Sequence, residues 1–174
     1  RLLIIMVIIR PFRAVRPHPA LAEKVAALPY DVLSSEEARS MVEGNPYSFL
    51  HVDKAEIGLP EDTDLYADIV YQTAAAKLRQ MQEEGVFLRE NQACLYIYRQ
   101  IREGLAQIGV VGCAAVDEYL DKTIRIHELT RADKEDDRVR HVDICDANTG
   151  PIFLAYRSRP RINQLVRLIM DGEP

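Results

Sequence analysis

The stretch HELTRADKEDDRVRH, residues 127–141, is charged or ionisable at nearly every position. Three chemistries are open to such a run. It can be a solvated helix laced with local ion pairs, each contributing only a few tenths of a kcal/mol. It can grip an anion, or it can hold a metal.

If residues 131–143 are helical, a turn of about 100° per residue gathers Arg131, Lys134, Arg138 and His141 into one sector. Several cations on one face bind a phosphate through charge-assisted hydrogen bonds. Asp133, Asp136, Asp137 and Arg140 fall on the opposite side, and only Ala132, Val139 and Val142 form an apolar stripe, bordering the basic sector. For a metal, His127, Glu128, Asp133, Asp136, Asp137 and His141 supply oxygen and nitrogen ligands. Asp136 and Asp137 are the candidates for a magnesium ion arriving with a nucleotide. The zinc-protease spacing is absent, because Arg131 stands where the second histidine would be. His127 and Glu128 are the candidate acid–base pair, since histidine titrates near neutral pH.

Other polar islands sit between apolar stretches. PYDV contributes Tyr30 and Asp31, GNPYSF contributes Asn45, Tyr47 and Ser48, and DANTGP contributes Asn148 and Thr149. Asp and Asn at such places either bond their own backbone in turns or face a ligand. Tyr30, Asp31, Asn45 and Asn148 are therefore candidate substrate contacts. No glycine-rich phosphate loop and no Gly-x-Ser-x-Gly elbow occurs.

The elements that must position these groups follow from patterning. Residues 7–15 alternate apolar and basic and predict an opening strand. ALAEKVAAL is a short helix or a strand, stopped by Pro29. SSEEARSMVEGN predicts a helix capped by Ser34 or Ser35 and ended by Gly44 and Asn45. YSFLHV predicts a strand. GLPEDTD is a loop whose Thr63 or Asp64 caps the longest helix, 65–84, with Leu65, Ile69, Ala76, Leu78 and Met81 near one side and Gly85 at its end.

Two apolar runs flanking REG predict a hairpin, with Tyr96 and Tyr98 on one face. TIRIHEL and PIFLAYR predict further strands, and PRINQLVRLIMDG a helix with Pro160 in its first turn. Strands and helices mix without strict alternation, so the class is α+β: a mixed, mainly antiparallel sheet with flanking helices.

Composition narrows the rest. At 174 residues one domain is expected, here the N-terminal part of a longer protein with residues 1–5 not native and Met6 the natural start. The net charge of −5 argues against a general nucleic-acid binder. Cys94, Cys113 and Cys145 are far apart, which excludes a Cys-x-x-Cys zinc site and a disulfide scaffold. Cys94 and Cys113 lie in apolar runs and are expected to be buried. RLLIIMVIIRPF is too short to span a bilayer and lacks a cleavage site, so a cytoplasmic protein is expected.

Taken together, RPFRAVRP, PYDVLSSEEAR, GNPYSFLHV, YIYRQ, GVVGCAAVDEY, HELTRADKEDDRVRH and NTGPIFLAY resemble the family catalogued as domain of unknown function 1015, from Met6 to about Tyr156. One departure is Leu28-Pro29, where that family usually has two prolines before its Tyr-Asp-Val. The second half of family members carries an Asp-Gly-His-His-Arg motif similar to ParB-like nucleotidases and archaeal free-serine kinases. That motif is not in this chain. What the resemblance implies is a nucleotide-dependent phosphotransferase acting on a small hydroxyl metabolite such as serine, of which this chain holds the phosphate contacts.

The alternative is a non-enzymatic module binding a small anion, a nucleotide or a partner protein. The expected partners are a small molecule or nucleotide, with magnesium as the cofactor, no membrane and no nucleic acid; a homo-oligomer stays open.

Overall fold

The computed structural model describes residues 7–126 and 130–172. The chain opens with β1 (Ile9–Arg10) and β2 (Val15–Pro17), short strands where one longer strand is expected. Pro11 lies between them, and proline has no N–H to give a ladder. A helical turn at Pro19–Leu21 leads into α1 (Ala22–Val25), and Tyr30–Val32 forms a second tight turn.

Helix α2 (Ser35–Met41) begins where its cap predicts. The Ser34 hydroxyl accepts from the Glu37 N–H at 3.2 Å, and the Glu37 carboxylate accepts from the Ser34 N–H at 2.8 Å.

Residues 47–52, expected as a strand, instead wind into α3 (Leu50–Asp53). Buried Ser48 starts the turn: its carbonyl accepts from the His51 N–H, and its hydroxyl lies 3.4 Å from the Leu50 nitrogen. A short apolar run reads alike as strand or buried helix, and here local hydrogen bonding decides. Just beyond α3, Lys54 pairs with Glu56 at 2.9 Å, and Glu56 also accepts from the Ser35 hydroxyl. That pairing fixes the end of the helix that carries Asp53.

Helix α4 (Asp68–Glu83) starts later than predicted. The Asp64 side chain accepts from the Tyr66 N–H at 3.0 Å and makes a turn of its own, leaving Ala67 at the helix cap. The buried stripe is Val70, Tyr71, Ala74, Leu78 and Met81. Of the predicted stripe only Leu78 and Met81 are inside; Leu65 and Ile69 are about half exposed. Gly85, at a φ of 72°, turns the chain out of the helix as expected.

Strand β3 (Phe87–Arg89) follows, then β4 (Tyr96–Arg102), β5 (Leu105–Val111), β6 (Cys113–Ala114) and α5 (Val116–Leu120). The β4–β5 hairpin is as predicted. Glu103 and Gly104 both take positive φ, which gives a two-residue turn twisted to match the strands.

Among the described residues every strand pairing is antiparallel, and the pairs are β1 with β6, β2 with β3, and β4 with β5. The class is α+β, with its strands in pairs rather than one broad sheet. Residues 151–157 and 123–126, the described part of the strand expected over 123–129, adopt no regular element; residues 127–129 lie outside the described residues. Neither segment pairs with a neighbouring strand among the described residues, and an extended run without a ladder is not held as one.

The last helices are α6 (Ala132–Cys145) and α7 (Pro160–Asp171), with Pro160 in the first turn of α7 as predicted.

The core gathers Val25, Val52, Leu78, Met81 and Phe87, from α1, α3, α4 and β3, and Val86 just before β3, with Cys145 at the end of α6 packed against it. Cys94 and Cys113 are exposed rather than buried. Among the described residues Cys94 pairs with Phe12 in an isolated bridge and Cys113 with Arg10 in a two-residue strand, so each sits in a narrow pair rather than a broad sheet. No helix among the described residues is long and apolar enough to cross a membrane.

Candidate functional site

Helix α6 runs beside α4, and the face it turns inward is its polar one. His141 is buried, Asp137, Arg138 and Cys145 are half-buried, and Val139 points to solvent at 61% exposure. The apolar stripe read from the sequence is therefore not the packed face. The contacts holding the helix are polar.

Tyr71 supplies the first of them. Its ring lies in the core, and its hydroxyl donates to Asp137 Oδ1 at 2.7 Å. Burial, followed by that bond to a carboxylate, pushes the phenol up to about 12, so it stays a donor. The other oxygen, Asp137 Oδ2, accepts from Arg138 Nε at 3.1 Å and Nη2 at 2.8 Å. Each carboxylate oxygen thus has its own partner. The Arg138 guanidinium lies over the Tyr30 ring, 4.1 Å from its centroid. One edge of the fork is held by Asp137 and one face by Tyr30. The Arg138 side chain keeps 30% of its surface exposed.

A second group surrounds the start of α4. Arg140, expected opposite the basic sector, donates to the Tyr66 carbonyl at 2.9 Å, pairs with Asp68, and stacks on Tyr71 at 4.4 Å. Lys134 Nζ is 3.5 Å from the Tyr66 hydroxyl and 6.0 Å from its ring centre. Arg131 caps the helix backbone and chelates Asp133 through two bonds of 3.0 and 2.7 Å, holding that carboxyl below its usual range.

A third group lies beneath. His141 is only 3% exposed. Its Nε2 stands 3.8 Å from Asp53 Oδ1 and 3.8 Å from Cys145 Sγ. Burial first, and then the Arg138 charge, lower its imidazole to about 4, against a raising influence from Asp137. The imidazole is neutral at pH 7, so His141 does not join the cations with which the sequence grouped it. Among the described residues Asp53 Oδ1 is buried with no hydrogen-bond partner. Burial raises the Asp53 carboxyl, with Thr149 and Arg138 pulling it down, and burial raises the Cys145 thiol.

Of the residues singled out in the sequence, the structure brings Tyr30, Asp137 and Arg138 into contact. Arg131 and Lys134 lie on the same helix, more exposed. Asp31, Asp136 and Asn148 are exposed. Asn45 is built into a turn: its amide donates to the Lys24 carbonyl at 2.8 Å, and its side-chain oxygen accepts from the Tyr47 N–H. His127 and Glu128 lie outside the described residues. Among the described residues no three His, Cys, Asp or Glu side chains gather as a metal site would need. Sequence reasoning missed Tyr71, Asp53 and the role of Arg140. Tyr71 and Asp53 gave no signal, because each acts only across a helix contact.

The family described as "Protein of unknown function (DUF1015)" matches this chain over residues 9–174. Neither the curated proteins nor the solved structures contain a match.

Proposed function

We propose, for a chain that belongs to the DUF1015 family, that the exposed side of α6 binds the phosphate of a nucleotide or phosphorylated small molecule. On this reading the protein serves a nucleotide-dependent phosphotransfer to a small hydroxyl compound such as serine.

One observation carries it: the Arg138 guanidinium sits over the Tyr30 ring and is gripped along one edge by Asp137, with part of its surface still open. A guanidinium held this way has little rotamer freedom left to lose on binding, so a phosphate oxygen meeting its other edge gains most of the charge-assisted bond. Lys134 adds positive charge along the same helix, and Arg131 stands at its start, paired with Asp133.

Phosphoryl transfer asks the protein mainly for positioning and charge neutralisation, which suits such a set. In this assignment Asp136 contacts the magnesium that accompanies a nucleotide, and His127 and Glu128 serve the hydroxyl proton.

The test is thermal unfolding with ATP, ADP, inorganic phosphate and serine, with and without magnesium. A ligand that binds only the folded chain raises the midpoint; at about 100 times Kd the gain is about 2.7 kcal/mol. The expected result is a rise with a phosphate-bearing ligand that disappears in Arg138→Ala. No rise with any of them would sink the reading. A rise without turnover when serine and ATP are combined would favour a binding module instead.

A further inference from the structure

The Arg138 guanidinium is oriented by a carboxylate, and that carboxylate is itself oriented from the core. Asp137 precedes Arg138 directly in the chain, so their side chains leave the helix about 100° apart. Bringing them together requires Asp137 to be held to one side. Tyr71 does this. Its ring is 1% exposed in the stripe of α4, so its hydroxyl is fixed by packing, and it meets Asp137 Oδ1 at 2.7 Å. Asp137 Oδ2 is then aimed at Nε and Nη2 of Arg138.

We infer that Tyr71 is a positioning residue for the anion site: acting through Asp137, its hydroxyl sets the plane of the Arg138 guanidinium over Tyr30. It touches no ligand. It fixes which edge of the arginine fork is occupied and which faces outward. Arg140, 4.4 Å from the Tyr71 ring centre and anchored to Asp68, packs on the ring itself. The inference rests on the anion-binding reading for its consequence, and on geometry alone for its cause.

The experiment uses the whole chain with Tyr71→Phe, which keeps the ring and removes the hydroxyl, and Asp137→Asn, which keeps the volume and removes the charge. The Nε–H resonance of Arg138, assigned by its loss in Arg138→Lys, is followed by nitrogen–proton NMR without any ligand. It is expected to exchange slowly with water in the parent chain and at least tenfold faster in both variants. Inorganic phosphate is then titrated. Tyr71→Phe is expected to weaken binding about tenfold in the parent chain but to add no loss in the Arg138→Ala background, the non-additivity of groups acting as one unit.

A merely structural tyrosine would lower the unfolding midpoint while leaving the phosphate affinity of the folded chain unchanged, and that result overturns the inference. Unchanged Nε–H exchange in Tyr71→Phe overturns it as well. If exchange speeds up but the parent chain binds no phosphate, the orienting role stands and the anion reading falls.

Discussion

Lowering the pH from 7 to 4 should remove about 3 kcal/mol of stability through His141 alone, and His141→Gln should abolish that part of the dependence. The folded imidazole sits at about 4 and the free one at 6.5. Between those values the unfolded chain binds a proton that the folded chain refuses. The unfolding free energy therefore falls as the pH falls through this window; the contribution is complete above 6.5 and gone below 4.

The groups facing the ring set the size of the effect. Desolvation dominates, Arg138 adds to it, and Asp137 opposes it. Asp53 works in the opposite direction. Its raised pKa means that the folded chain takes up that proton before the unfolded chain does, which offsets part of the loss. Urea denaturation at several pH values from 7 to 4.5, for the parent chain and for His141→Gln, isolates the histidine from the carboxylates. Parallel slopes in the two proteins would refute the assignment.

Arg138→Ala should have the largest effect on binding, a loss of about 100-fold in affinity for phosphate or ATP, or about 2.7 kcal/mol, in the range of charged hydrogen bonds. Arg138→Lys should recover about a tenth of the parent affinity. It restores the charge but neither the fork nor the guanidinium contact with the Tyr30 ring.

The alanine variant should also be less stable by about 1–3 kcal/mol, because Asp137, with a side chain 12% exposed, is left with Tyr71 as its partner. It should titrate differently too. Removing the positive charge beside His141 lets the folded imidazole protonate at a higher pH, so the acid loss through His141 starts at the same pH but is smaller and ends sooner. Calorimetric titration gives the affinities. Equal affinity in Arg138→Ala and the parent would remove Arg138 from the site.

What the sequence made readable was local. The Ser34 cap, the Glu103-Gly104 turn and Pro160 at a helix start each act within a few residues, so their chemistry is visible in a short window. Residues 47–52 failed because one serine hydroxyl and one carbonyl outweighed an apolar run that suits either conformation. Residues 151–157 failed because a strand is made by its neighbour, and the pattern carries no record of whether one is there.

At the site, the charges of α6 were in plain view, and Tyr30 was singled out from its turn. What could not be read was the direction in which α6 faces. Amphipathic reasoning turns apolar side chains inward, whereas here a tyrosine 66 positions away accepts a carboxylate into the contact and reverses the rule.

That reversal bears on the order in which the molecule comes apart. The interior of α4 is held by Tyr71, Leu78 and Met81, whose burial weakens little with salt. The polar join between α4 and α6 is made by the Tyr71–Asp137 bond and the Arg140–Asp68 pair, contacts whose charges mobile ions screen and whose bonds water can replace. The backbone amides of α6 are thus placed to open in a local fluctuation, below the free energy of global unfolding and with α4 still folded. Such an opening would dismantle the Arg138 platform while the rest of the protein persists. Occupancy of the platform and the lifetime of this one helix are then two readings of the same equilibrium.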